Sequence, residues 1–198
     1  MKKGGKKYLR NISNIEFHTG SKEELLPDFV SDFQYIASRV ELDKHIDRFV
    51  PWHWHKAVEL FYMQSGKLEY YTPKGKMVFS TGSGGMVNSN VLHMTRSQAE
   101  AKGTVQLLHI FDTSFIGGEP GSRIEQKFIS PFIKAPQVEI IGLYPESPAQ
   151  AALLNAIRES FHLSENDFGY EIKLRTALSD IWLQLLTISL PLLEKKGD

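Results

Sequence analysis

Between residues 52 and 111 the chain falls into short, largely apolar runs at regular spacing. The runs cover 52–64, 67–72, 76–80, 85–88, 93–97 and 104–111, and between them stand Gly66, residues 73–75, residues 82–84 and Gly103. Glycine and proline at those points suit tight turns, and strands at such regular spacing predict a sandwich or small barrel rather than alternating strand and helix units. In the last run Val105, Leu107, His109 and Phe111 share one face, and Gln106, Leu108 and Ile110 share the other. Both faces are apolar enough to be buried. A further strand is predicted over 38–42, and a closing strand over 138–141.

Beyond Phe111 the pattern changes. Gly117, Gly118, Pro120, Gly121, Pro131 and Pro136 predict a loop-rich crossing, followed by two helices. Ser147, Pro148 and Gln150 predict a helix start, with an N-cap, a first-turn proline and a capping box. Leu153, Leu154, Ile157 and Phe161 carry the apolar face to about Leu163. A second helix is predicted over 169–190, in which Leu174, Leu178, Ile181, Leu185 and Ile188 step by four, three, four and three, a heptad seam. Ile172, Trp182, Leu183, Leu186 and Leu190 widen that surface. The expectation is one stripe packed within the subunit and another offered to a second copy, with the five seam residues as the homodimer interface. The resulting division is a flexible arm at 1–30, a β-barrel at 31–145 and a helical region at 146–198.

Composition narrows the function. Lys plus Arg and Asp plus Glu both number 23, so there is no cationic excess to hold a polyanion at physiological salt. The absence of cysteine rules out disulfides and thiolate metal sites and is compatible with a reducing cytoplasm. The C-terminal apolar stretch is interrupted by Asp180, Gln184 and Pro191, so no membrane span is expected. The opening MKKGGKKYLR has charge without an apolar segment behind it, unlike a signal peptide, and residues 1–11 are expected to be a solvated tail. A soluble cytoplasmic protein is the expectation.

The candidate chemistry lies in HWHKAVELFYMQSG, residues 53–66. On one extended strand His53, His55 and Glu59 have the same parity and project to one side, while Trp52 and Trp54 project to the other. Arg39, Tyr70, Tyr71, Arg96 and His109 are of types that could line the barrel, but their parity is not fixed by the sequence, and surface positions are the expectation. The pattern H-x-H-x3-E-x6-G resembles the first motif of the cupin superfamily, and GSGGMVNSNVLH, residues 82–93, resembles the second, with Ser83 and Ser89 where Asp and Pro are usual. The resemblance implies a double-stranded β-helix (jelly-roll-like) barrel in which His93 joins His53, His55 and Glu59. It also implies a pocket that holds either a small polar ligand or one divalent metal ion (Zn, Mn, Fe or Ni), since nitrogen and oxygen donors suit those metals.

Three longer stretches, 51–66, 110–118 and 168–186, carry a closer resemblance, to the effector-binding and dimerisation region of AraC-type bacterial transcriptional regulators. It implies a small-molecule effector and a homodimer. DNA would be read only through helix-turn-helix units that lie outside these 198 residues. A metal-dependent cupin enzyme of dioxygenase or isomerase type is the alternative, in which the same four residues leave coordination positions open to substrate.

Overall fold

The computed structural model describes residues 10–12, 14–26, 29, 32–98 and 103–194. Ten strands build two sheets: β1 (Arg10–Ile12), β2 (Tyr35–Glu41), β3 (Phe49–His53), β4 (Val58–Ser65), β5 (Lys67–Thr72), β6 (Gly75–Ser80), β7 (Gly84–Val87), β8 (His93–Ser97), β9 (Val105–Phe111) and β10 (Ile140–Leu143). Six run in the order β1-β2-β9-β4-β7-β10 and four in the order β3-β8-β5-β6. Apart from the parallel pair β1–β2, neighbours are antiparallel.

The two faces of β9 enter two different cores, as the alternation predicts. Leu108 and Ile110 point into the lumen with Ile36, Val40, Phe61, Met63, Leu68 and Phe79. Leu107 and Phe111 point outward to a helical layer, with Val58, Leu60 and Met86 from the neighbouring strands. Burying each such side chain is worth about 2 kcal/mol, and the double burial explains why β4 and β9 read as nearly continuous apolar runs.

The helical layer consists of α1 (Ser114–Gly117), α2 (Ser130–Ile133), α3 (Pro148–Ser160) and α4 (Tyr170–Glu194), with one π turn at Glu125–Ile129. The segment expected to be loop is therefore partly helical. Ile116, Ile129 and Phe132 are buried there, and Asn88 donates to the carbonyls of Ile133 and Val138 at 3.3 and 2.9 Å, tying the segment to the end of β7. Ser147 and Pro148 start α3 as predicted, but the reciprocal cap does not form: Ser147 makes no side-chain cap bond, and Gln150 Oε1 accepts from the Tyr144 N–H at 2.7 Å instead.

The seam of α4 corrects the expected interface. Leu174, Leu178 and Leu185 are 0% exposed and Ile181 is 1% exposed, and Ile188 packs against the same cluster. These five meet α3 and the barrel of their own chain. The apolar positions left exposed on α4 are Ile172, Leu183, Leu190 and Leu192. Heptad spacing reports a buried stripe without saying whose surface buries it. Pro191 lies inside the helix rather than ending it, and by length and composition alone α4 passes as a membrane span, contrary to the sequence expectation. Packing of its seam within the subunit accounts for the buried part of that apolarity.

At the other end, residues 1–9 of the expected tail lie outside the described residues, while residues 10–12 are the edge strand β1. Residues 16–25 fold back as a small hairpin, in which the Leu25 N–H donates to the Glu16 carbonyl at 2.8 Å and Gly20, at φ 73°, makes the turn. Ile15, Leu26 and Phe29 flank it and pack on the lumen core.

Candidate functional site

His53, His55, Glu59 and His93 converge inside the barrel, at 4, 2, 4 and 1% exposure. The route differs from a single extended strand. His53 ends β3 in the four-stranded sheet, the chain bends through residues 54–57, and Glu59 arrives on β4 in the six-stranded sheet. His93 opens β8 directly opposite His53 in the ladder, with ring centroids 4.1 Å apart. Trp52 and Trp54 are only half-buried.

The backbone sets the direction of each imidazole. His53, His55 and His93 donate from Nδ1 to the carbonyls of Pro51, Ala57 and Val91 at 2.8, 2.8 and 2.9 Å. A carbonyl can only accept, so each neutral ring carries its proton on Nδ1 and turns the Nε2 lone pair toward the centre. His55 Nε2 is buried without a hydrogen-bond partner. Glu59 Oε2 stands 3.6 Å from His55 Nε2 and 3.9 Å from His93 Nε2, beyond hydrogen-bond range. Donor atoms each about 2.1 Å from one shared ion stand roughly 3.0–4.2 Å apart, depending on the angle between them. The ligand nitrogens of the three imidazoles lie within 4.8 Å of one another, a grouping that could hold a divalent metal ion and so satisfy the orphaned nitrogen, and Glu59 stands at donor spacing from two of them, His55 and His93.

Sequence reasoning missed Glu24 and misplaced Tyr70 and His109. Tyr70 is buried, not on the surface. It stacks on Phe61 at 4.6 Å, donates to Glu59 Oε1 at 2.6 Å and accepts from Gln106. Glu24, from the N-terminal hairpin, is also buried, its Oε2 3.7 Å from His53 Nε2. It sits in a segment of mixed composition without periodicity, which carries no sequence signal. His109 is fully buried as well, but on the helical side of β9, away from the lumen.

Electrostatics separate the groups. Burial pushes His53 and His93 down to about 3, so both are neutral at physiological pH. Burial pushes Glu24 up to about 7. Burial opposes charge on His55 and Glu59 too, but their mutual attraction prevails: His55 is raised and Glu59 lowered. Burial and the Glu59 charge hold the Tyr70 phenol well above its ordinary range, which keeps it a donor. The cavity shared by Glu24, His53, Glu59, Tyr70, His93 and Gln106 measures about 30 Å³. That is room for an ion and a water-sized ligand, whereas metabolite pockets run to about 300–1,000 Å³.

A two-sheet barrel of this strand order, with three inward imidazoles and a carboxylate at the bend between sheets, has the fold of a cupin barrel. Its architecture is shared with ToxT of Vibrio cholerae, an AraC-family regulator, in the apo K231A form: TM-score 0.50 at 10% identity, over 78% of this chain and 56% of that one. A cupin-2 domain protein of Shewanella frigidimarina overlaps 42% of this chain and 72% of its own, at 19% identity and TM-score 0.31. Oxalate decarboxylase of Bacillus subtilis overlaps 39% and 25%, at 21% identity and TM-score 0.29. No protein-family model and no curated protein matches the sequence. The present chain thus spans little more than half the length of ToxT, and at such identities the likeness is one of fold.

Proposed function

We propose that this chain is the sensor domain of an AraC-type transcriptional regulator, cytoplasmic and homodimeric, whose lumen holds one divalent metal ion. His53, His55 and His93 hold the ion through Nε2 and Glu59 through a carboxylate oxygen. When bound, the ion supplies a Lewis-acidic position with room for one small polar ligand. Everything else is done by the chain: three backbone carbonyls fix the tautomers, Tyr70 and Gln106 orient Glu59, and the apolar lumen excludes bulk water. DNA reading is assigned to helix-turn-helix units outside these residues.

The observation that carries this reading is the trio of Nδ1–H donors to Pro51, Ala57 and Val91, which turns three Nε2 lone pairs toward the centre of the barrel. Fold alone does not separate regulators from enzymes. A cavity of about 30 Å³ admits an ion and a water-sized ligand as it stands. Larger effectors, sugars included, need the lumen to open further.

The test is elemental analysis of protein expressed in metal-replete medium, beside His55→Ala and His93→Ala. About one transition-metal ion per chain, lost in both variants, is expected. A wild-type protein without metal overturns the metal centre.

A further inference from the structure

The lumen lies between two sheets that share no hydrogen-bonded pair of strands. Their edge strands are β1 and β10 in the wider sheet and β3 and β6 in the narrower, which leaves the barrel with two seams. Each seam carries an outer chamber that shares a wall with the lumen. The chamber at the β3 edge measures about 270 Å³ and is lined by Asn14 and Ile15, just beyond β1, with His45, Asp47, Phe49 and Pro51. Ile15 and His45 line the lumen as well. The chamber at the β6 edge measures about 310 Å³, reaches from Met77 to Ile140, and shares Tyr70 with the lumen. These chambers offer a solute two ways in, past His45 or past Tyr70.

The two are not equally easy to open. At the β6 edge the Tyr70 hydroxyl donates to Glu59 and accepts from Gln106, while its ring packs on Phe61 and Phe79. The seam outside it is tied across. Lys74 Nζ donates to the Pro136 carbonyl at 2.7 Å and pairs with Glu139 Oε1 at 3.1 Å, and the rings of Phe79 and Tyr144 stack at 5.7 Å. Passage there breaks buried contacts and surface ties together. At the β3 edge His45 stands between two short 3-10 turns, Leu42–Lys44 and Ile46–Arg48. Such turns have poor hydrogen-bond geometry and recur at hinges. Asp47 and Arg48 have φ of 57° and 56°, a left-handed region that disfavours residues with a Cβ. The chain is anchored on either side of them, by the Leu42 N–H on the Thr104 carbonyl at 3.0 Å and by Val50 opposite Thr95 in the ladder. A movement confined to residues 45–48 swings His45 and leaves both sheets paired.

We propose that water-sized solutes enter the lumen through the seam between β1 and β3, with the His45 imidazole as the gate and the turn at 46–48 as its hinge. The inference concerns access alone. It holds whether the four motif residues take an ion or only a small ligand, so it does not stand or fall with the metal centre.

The experiment follows hydrogen–deuterium exchange at the ring C2 of each histidine, by mass spectrometry, in the full chain held metal-free with a chelator. Heavy water is the probe, and His109, buried on the helical side of β9, is the internal reference. Wild type is compared with His45→Ala, with His45→Phe and, at the other seam, with the exposed Lys74→Ala. In His45→Ala, His53 and His93 are expected to exchange about 5-fold faster or more, with His109 unchanged. His45→Phe loses the polar contacts of the imidazole but restores its bulk, and should return both to within about twofold of wild type. Lys74→Ala should stay within about twofold at every histidine. Faster exchange at His53 and His93 in Lys74→Ala moves the entrance to the Tyr70 side and overturns the proposal, an outcome that does not depend on the His45 variants folding. Unchanged exchange at His53 and His93 in His45→Ala overturns it as well. So does equal acceleration at His109, since general loosening rather than a seam would then be responsible.

Discussion

Tyr70 donates its phenol proton to Glu59 Oε1 at 2.6 Å, from a strand of one sheet to a strand of the other. The bond leaves Oε2 turned toward His55 and His93. Tyr70→Phe keeps the ring stacked on Phe61 and edge-to-face with Phe79 but removes the donor. Metal affinity is expected to fall about 10-fold with the fold intact, as for loss of other groups that orient a metal ligand. Competition calorimetry with a chelator measures it, and an unchanged affinity would show that Glu59 orients itself.

His109 gives a pH dependence independent of the lumen. Its Nε2–H donates to Ser160 Oγ at 2.8 Å, because the Ser160 hydroxyl proton is committed to the Ile157 carbonyl at 2.6 Å. Nδ1 therefore accepts from the Tyr35 hydroxyl at 2.7 Å, the opposite tautomer to the three lumen histidines. Burial holds His109 down to about 3, against 6.5 when unfolded. Between those values the unfolded chain binds a proton that the folded chain refuses. Stability is thus full above pH 6.5 and falls by about 1.4 kcal/mol per pH unit as pH drops toward 3. In His109→Gln the acid slope of urea-unfolding free energy should lose about one proton; an identical slope from pH 6.5 to 4.5 would contradict the assignment.

The two faces of α4 should respond to substitution in opposite ways. Leu178→Ala opens a cavity in the core that α4 shares with α3 and the barrel and should cost about 2–5 kcal/mol, read as a lower urea midpoint. Leu183→Glu, at a position 56% exposed beside Ile124 and Phe128, should leave that midpoint within about 0.5 kcal/mol equivalent. If a second copy docks on this face, sedimentation will show Leu183→Glu as a monomer and Leu178→Ala, where folded, as a dimer. The reverse outcome would return the interface to the seam.

Gly66 joins β4 to β5 at φ 82°, and a Cβ there would meet Thr104 Cα at 2.6 Å. Gly66→Ala combines a left-handed backbone with a clash and should cost about 1–3 kcal/mol. The neighbouring Gly82, at φ 86° with open space around it, should tolerate alanine better. Paired thermal melts of the two variants would rank them, and a larger loss at Gly82 would contradict the packing argument.

How far the sequence could be read depended on whether the signal was local. Alternation in β9 was legible because two cores claim its two faces. The four motif residues were legible by type, although common parity along one strand was the wrong reason for their meeting: a bend at 54–57 carries Glu59 into the other sheet. Tyr70 and His109 were misjudged as surface residues because a polar side chain on a strand buried on both faces looks the same in sequence as one facing water. Glu24 left no trace, since its placement depends on the pairing of its backbone with Trp54, 30 positions along the chain. The short helices around Ile129 were hidden by the glycines and prolines beside them.

The walls of this barrel contribute unequally to its centre. His53 and His93 are rooted in the four-stranded wall and Glu59 in the six-stranded one, with His55 on the hinge between them. An ion held at their meeting point would work as a cross-brace, resisting any tendency of the two walls to splay, and the helical layer stacked on the wider wall would feel its loss as a change in the curvature beneath it.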